Sequence, residues 1–237
     1  MQQKNLWQVT SKEKITFSYL KKSITTDLVV IGGGFTGCSA ALSAAKNGLS
    51  VTLIDKKIGY GGSGRNVGLV NAGLWMPPEK VESILGLDAG VKLNKALATA
   101  PDLVFSLIDN YEINCSANRS GTLHCAHSKK GLKDIHLRFK QLSERGAELE
   151  LLDKQQTQER IGSSKFFGSL FNKKAGIINP LDYCLGLARA AKSYGVNIYE
   201  STIATNIQSI NNYWLVKTAE STIKAKMLLI ATNAYQK

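Results

Sequence analysis

The chain has 237 residues, 43% hydrophobic and 20% charged, and its 30 Lys and Arg outnumber 18 Asp and Glu for a formal net charge of +12. It holds no run of about 18 apolar residues, so no transmembrane helix is expected, and Met1 to Lys22 is polar and lacks the apolar stretch of a signal peptide. Cys38, Cys115, Cys125 and Cys184 form no C-x-x-C pair, which predicts free thiols and a cytoplasmic location.

The length allows one large domain or two small ones. The lysines come as scattered pairs, Lys21–Lys22, Lys56–Lys57, Lys129–Lys130 and Lys173–Lys174. That is the pattern of solvated surface, and no aromatic-plus-basic module points to a nucleic-acid partner.

Residues 1 to 24 read as a leader on the domain surface, with Trp7, Phe17 and Tyr19 as anchors. Asp27 to Ile31 is an apolar run of the kind that forms a buried parallel strand. Gly32, Gly34 and Gly37 then spell G-x-G-x-x-G, Ala-rich Cys38 to Asn47 predicts a helix, and Leu49 to Ile54 a second buried strand closed by Asp55. In such a unit the first glycine permits the tight turn, the second lets a diphosphate approach the backbone, and the third lets helix and strand pack closely. Unpaired N–H groups at the helix start face the phosphates, and the acid accepts the ribose hydroxyls. The strand, turn, helix, strand and acid together are the context this motif requires.

Gly59 to Gly73 follows, GYGGSGRNVGLVNAG, with six glycines in fifteen residues. So many glycines disfavour regular structure. A loop directly after the ribose-binding acid can run beside a long cofactor, with Ser63 on phosphate and Arg65 and Asn66 on a polar ring edge.

IGGGFTGCSAALSAAKNG, then an acid, then GYGGSGRN resembles the FAD-dependent oxidoreductases of the D-amino-acid-oxidase type, most of all their γ-glutamylputrescine oxidoreductase-like branch. That branch carries G-W-G-A-S-G-R-N-G-G here. Tyr60 stands for its Trp, Gly62 for its Ala, Val67 for the first of its last two glycines, and Asp55 for the more usual Glu. The resemblance implies FAD as cofactor. It is also favoured over a nicotinamide because the second glycine loop follows Asp55 with no further strand–helix unit. The implied fold is α/β, a Rossmann-like FAD/NAD(P)-binding domain with an inserted α+β substrate domain, truncated at the C-terminus. The expected partition is a leader at 1–24, the cofactor domain at 25–75 and 179–237, and the first part of the substrate domain at 76–178. The implied cofactor contacts are Gly32, Gly34, Phe35, Thr36, Gly37, Asp55, Lys56, Ser63, Gly64, Arg65, Asn66, Ala204, Ala231 and Thr232.

Pro78 to Glu112 reads as mainly helical, with Pro101 breaking or restarting the helix. Ile113 to Ser116 and Gly121 to Ala126 read as strands. Ser128 to Arg145 reads as an amphipathic helix with Leu132, Ile135, Phe139 and Leu142 on one face. Phe166 to Asn172 and Gly176 to Ile178 read as further strands. In a strand His124 and His127 point to opposite faces with no acidic cluster beside them, so no metal site is expected. Asn179-Pro180 opens a helix that Gly195 ends. Val196 to Tyr199 is a third buried strand. Tyr213 to Thr218 with Ser221 to Ala225 reads as a hairpin, and Met227 to Ile230 as a last buried strand. The ending Ala231-Thr232-Asn233-Ala234-Tyr235 matches the A-T-N-A-Y of the resembled family.

The activity the resemblance implies is oxidation of a C–N bond in a small-molecule amine or amino-acid substrate, with hydride transfer to flavin and hydrolysis of the imine. The residues offer no persuasive general base, so no catalytic residue is assigned. Members of the resembled family run well past residue 237, so an N-terminal portion is expected. The alternatives are a catalytically inactive or partner-dependent FAD-binding remnant, with a second chain supplying the rest, or a flavin oxidoreductase acting on modified tRNA.

Overall fold

The structure is a computed structural model that describes residues 5–233. Ala234 and Tyr235, which complete the expected ending, lie outside the described residues. The chain opens with α1 (Leu6–Thr10), closed by a reciprocal Asn5–Gln8 capping box. Leu20, at 2% exposure, is the residue of the leader that enters the core, whereas Trp7, Phe17 and Tyr19 are only half-buried. β1 (Ile24–Ile31), α2 (Phe35–Lys46) and β2 (Val51–Ile54) follow. The helix starts three residues earlier than its Ala-rich run because Gly34 serves as N-cap and brings Phe35 to Gly37 into the first turn. Leu49 is not in the second strand, because its N–H closes the end of α2 on the Ala44 carbonyl.

After a 3-10 turn at Ser63–Arg65 come β3 (Leu69–Val70), α3 (Pro78–Leu85), α4 (Leu87–Ala98) and α5 (Ala100–Asn110). Pro101 lies in the first turn of α5, where its missing N–H has no intrahelical partner to lose. β4 (Thr122–Cys125), α6 (Lys129–Ser143), β5 (Leu149–Leu152), α7 (Lys154–Ile161), β6 (Ser169–Asn172) and β7 (Gly176–Ile177) come next. The chain ends with α8 (Pro180–Ser193), β8 (Asn197–Tyr199), β9 (Asn206–Ile210), β10 (Tyr213–Lys217) and β11 (Thr222–Ile230).

Two compact units result. The first comprises the chain up to Gly68, Ile108–Ser116 and the chain from Asn179 on; the second comprises Leu69–Leu107 and Ala117–Ile178. In the first, a six-stranded sheet has the order β8-β2-β1-β11-β10-β9. Its first four strands are parallel, and β10 and β9 are antiparallel additions. The parallel strands read as continuous apolar runs because both faces are covered: Val29, Val30, Leu53 and Ile54 are fully buried. α8 lies alongside α2 with eleven buried residues. In the second unit, α6 packs Ile135, Leu132 and Phe139 on the Leu149, Leu151 and Leu170 face of a three-stranded sheet ordered β4-β6-β5.

Further segments differ from expectation. Ile113 to Ser116 is not a strand. Glu112 and Ser116 adopt positive φ and Cys115 donates back to the Ile113 carbonyl, so the apolar alternation there reflects two buried side chains in a folded connector. The hairpin arm from Ser221 and the last strand from Met227 are one nine-residue strand, β11. It pairs with β1 from Ile223 to Ile230 and with β10 by its first half. Its far end is not buried, since Met227 is 41% and Ile230 45% exposed. β5, α7 and β9 have no counterpart in the sequence reading, although the Asp153–Gln156 capping box of α7 is a recognisable start signal. Among the described residues no helix is long and apolar enough to cross a membrane, and no group of three or more His, Cys, Asp or Glu is arranged to hold a metal ion.

Candidate functional site

The turn after β1 is built by close backbone contact. Gly32 sits at φ +110°, and a Cβ there would lie 2.6 Å from the Ala231 carbonyl oxygen. A Cβ on Gly37 would lie 1.8 Å from the Gly32 carbonyl oxygen. No L-residue with a side chain fits either place, so helix and strand approach as the glycine spacing requires. Gly34, the N-cap, has no side chain to satisfy the helix terminus. Ser63 does so from the glycine loop: its Oγ accepts the Phe35 N–H at 3.0 Å and would sit 2.7 Å from a Cβ on Gly34. A hydroxyl oxygen therefore stands on the helix N-terminus, where the helix dipole and unpaired N–H groups favour an anion.

Asp55 points into the mouth of this turn. Its Oδ2 accepts the Gly33 N–H at 2.6 Å and its Oδ1 the Lys57 N–H at 3.2 Å. The chain after β8 closes beside it, with Ser201 N–H donating to Lys56 O and Thr202 N–H to Asp55 O, both at 3.1 Å. Glu200 adds a second carboxylate, accepting the Ile58 N–H at 2.9 Å. Sequence reasoning missed it, yet Glu200 directly follows β8 as Asp55 follows β2. An acid at the end of each neighbouring parallel strand was the available signal.

The glycine loop is folded onto the turn. Gly59 donates to the Gly33 carbonyl at 2.9 Å, and a Cβ on Gly64 would lie 1.9 Å from Gly59 O. Asn66 is engaged within the loop: its Nδ2 donates to Ser63 O at 2.6 Å and its Oδ1 accepts Gly68 N–H at 2.8 Å. Its side chain shapes the loop in this structure rather than reaching for a ring edge. Arg65 is exposed, with Nε on Gly61 O at 3.3 Å. Lys56 and Thr36 are exposed, and Ala231 and Thr232 half-buried beside Gly32. Ala204 packs against the cluster around Leu20. The structure thus gathers Gly32 to Gly37, Asp55, Ser63 and Gly64 closely, and joins Ala231 to them through the Gly32 contact.

Beneath the turn lie two buried thiols. Cys184 donates to the Gly33 carbonyl at 3.4 Å. The hydrogen bond with Cys184 and then burial push the Cys38 thiol far above its usual range, which keeps it neutral and unreactive. Tyr183, edge-on to Phe35 at 5.3 Å, is pushed up to about 12 by burial first.

The second unit has a cavity of about 440 Å³ between residues 69–75 and the sheet face that carries His124. Trp75 meets His124 edge-on at 5.1 Å, and Arg138 donates to the carbonyls of Leu74 (3.1 Å) and Trp75. Burial and then the Arg138 charge lower the His124 pKa, which favours a neutral imidazole.

FAD fits the residues of the turn. Gly34 presents bare backbone at the helix terminus, where a Cβ would lie 2.7 Å from Ser63 Oγ, the terminus already bonds that oxygen, and the Asp55 carboxylate stands at the mouth.

A family model described as FAD dependent oxidoreductase matches residues 27–237. The chain is 32% identical over 221 residues to gamma-glutamylputrescine oxidoreductase of Escherichia coli (strain K12), covering 92% of this chain and 51% of the relative. It is 33% identical over 214 residues to a probable oxidoreductase OrdL of Haemophilus influenzae, covering 88% of this chain and 49% of the relative. Glycine oxidase from Geobacillus kaustophilus shares the fold at a TM-score of 0.75 and 22% identity, over 89% of this chain and 56% of that one. The chain spans about half the length of the curated relatives it matches. It belongs to the DAO family of FAD dependent oxidoreductases, with FAD as its cofactor.

Proposed function

We propose that this chain carries the adenosine-diphosphate half of the cofactor site of an oxidoreductase that oxidises a C–N bond of an amine or amino acid. The observation that carries the reading is the Asp55 carboxylate on the Gly33 N–H, beside a helix terminus that a loop hydroxyl caps. Similarity to a gamma-glutamylputrescine oxidoreductase supports the amine class of substrate. When bound, FAD supplies a two-electron acceptor. Asp55, held at the mouth of the turn by the Gly33 N–H, would accept the ribose hydroxyls. The N–H groups at the start of α2 and the Ser63 hydroxyl would hold the diphosphate against the bare backbone of Gly34. Arg65, Lys56, Ala204 and Thr232 complete the proposed contacts. The Cys38 thiol under the turn, held neutral by its hydrogen bond with Cys184 and by burial, is kept from acting as a nucleophile.

A second reading separates binding from turnover: these residues bind FAD, and turnover needs the segment of the relatives that they do not match. The half-length match to its relatives favours it, as does the exposed apolar end of β11.

Titrating the purified chain with FAD, followed by flavin absorbance and fluorescence, tests the first reading. Micromolar uptake is expected, weakened about tenfold or more in Asp55→Ala, as loss of a charged hydrogen bond of about 1.5–3 kcal/mol implies. A chain that stays colourless in excess FAD overturns it. Bound FAD without amine oxidation, restored on adding the remaining segment of a relative, supports the second.

A further inference from the structure

α1 contains no buried residue, so apolar burial does not hold it. Polar ties do, and they converge on the start of α8. Asp182 is completely buried, and its carboxylate accepts Ser11 Oγ–H at 2.5 Å, Lys12 N–H at 3.0 Å and Glu13 N–H at 3.1 Å. Glu13 in turn accepts from Nε and Nη2 of Arg189, both at 3.0 Å, and from the Asn114 N–H. The leader is therefore clamped at Ser11 to Glu13, with carboxylates and charged forks that are stronger than neutral hydrogen bonds. From this clamp Trp7 reaches out: its indole Nε1–H donates to the Asn66 carbonyl at 2.8 Å.

Asn66 is the residue whose side chain ties Ser63 O to Gly68 N–H. Ser63 is the hydroxyl on the helix terminus. Hydrogen bonds at Asp182, at Trp7 and within the loop, joined by the short backbone of the leader and by Asn66 itself, thus link the buried start of α8 to the loop that closes on the diphosphate turn. A glycine loop has more backbone freedom to lose on binding than any other sequence, so an external tie at its far end lowers the entropy cost of ordering it.

We propose that Trp7 is a positioning residue for the cofactor loop, acting through Asn66 to hold residues 59–68 in the form that receives FAD. The inference rests on the FAD site proposed above. Trp7→Phe keeps an aromatic ring, smaller than the indole, and deletes the donor. Leu6→Ala, on the exposed side of the same helix, is the control for the helix itself.

Two measurements decide it. In the chain without FAD, amide hydrogen exchange of peptides within 59–68 is expected to quicken several-fold in Trp7→Phe, with the rest of the first unit unchanged. FAD affinity is expected to fall about three- to tenfold, the effect of one net hydrogen bond, and Leu6→Ala to match wild type in both. Unchanged exchange in 59–68, or quickened exchange spread evenly over the unit, overturns the proposal. If wild type takes up no FAD, the cofactor reading fails, and the exchange measurement alone still decides whether Trp7 orders the loop.

Discussion

Tyr183 and Asp27 mark the two ends of the pH range. Burial pushes the Tyr183 phenol up to about 12, above an ordinary value of about 10. Its neutral form belongs to the folded state, so the stability it contributes is complete below about 10 and declines as pH rises towards 12. Tyr183→Phe keeps the ring against Phe35 and is expected to flatten the alkaline loss of stability, read as urea midpoints at rising pH. A parallel decline in both proteins would show that another group governs it. Asp27 is the opposite case. The Lys226 hydrogen bond first, and then Ser50, hold its carboxyl far below the usual carboxylate range. That contribution is present above about pH 4, the unfolded value, and is lost as pH falls below it. Asp27→Asn is therefore expected to lose midpoint at neutral pH and little further on acidification. An acid limb as steep as that of the wild type would contradict this.

Among the elements, α2 depends on its smallest residue. Gly37→Ala would place a methyl 1.8 Å from the Gly32 carbonyl oxygen, a backbone atom that cannot swing aside. The expected cost is about 1–3 kcal/mol, the range for overpacking, together with loss of FAD uptake because the turn must open. A folded variant with wild-type midpoint and wild-type affinity would mean that the turn relaxes freely. At α8, Asn179 accepts the N–H groups of Leu181 and Asp182 at 3.0 and 3.2 Å. Asn179→Ala is expected to cost about 0.5–2 kcal/mol, as helix caps do, measured as a lower urea midpoint. The same substitution also deletes the contact from Asn179 Nδ2 to the Trp7 carbonyl, so FAD affinity is expected to fall with it.

Across the whole molecule, the charge is dispersed. Lys173 and Lys174 pair with Glu150 and Glu148, Lys92 with Asp88, and Lys57 lies over the Tyr60 ring. Exposed pairs of this kind contribute little stability. Ligand linkage is a larger lever: FAD at about 100 times its Kd adds about 2.7 kcal/mol to the unit that binds it. Thermal unfolding with and without FAD is expected to raise the transition of the first unit. Hydrogen-exchange protection is expected at residues 32–37, 55–66 and 200–205. Protection confined to the second unit would move the cofactor site elsewhere.

Local chemistry was enough to read the turn itself. Gly32, Gly34 and Gly37, the strand before them and Asp55 after β2 are fixed by short-range sterics and spacing, and they stand where the sequence placed them. Helix starts at Asn179 and Ser128 were legible for the same reason, since a cap acts within one turn. The tertiary structure decided everything that depends on distant partners. Asn66 reads as a ligand-facing side chain in sequence, but Ser63 and Gly68 engage both of its polar ends. Ile113 to Ser116 alternates like a strand but finds no ladder. β11 spans what looked like two elements because β1 offers it a partner from Ile223 to Ile230. Glu200 and Trp7 acquired their places through contacts 142 and 59 residues away in the chain. Pattern reports which face of a segment is apolar; which backbone or carbonyl lies opposite is fixed only when the sheet and the two helices at the turn close together.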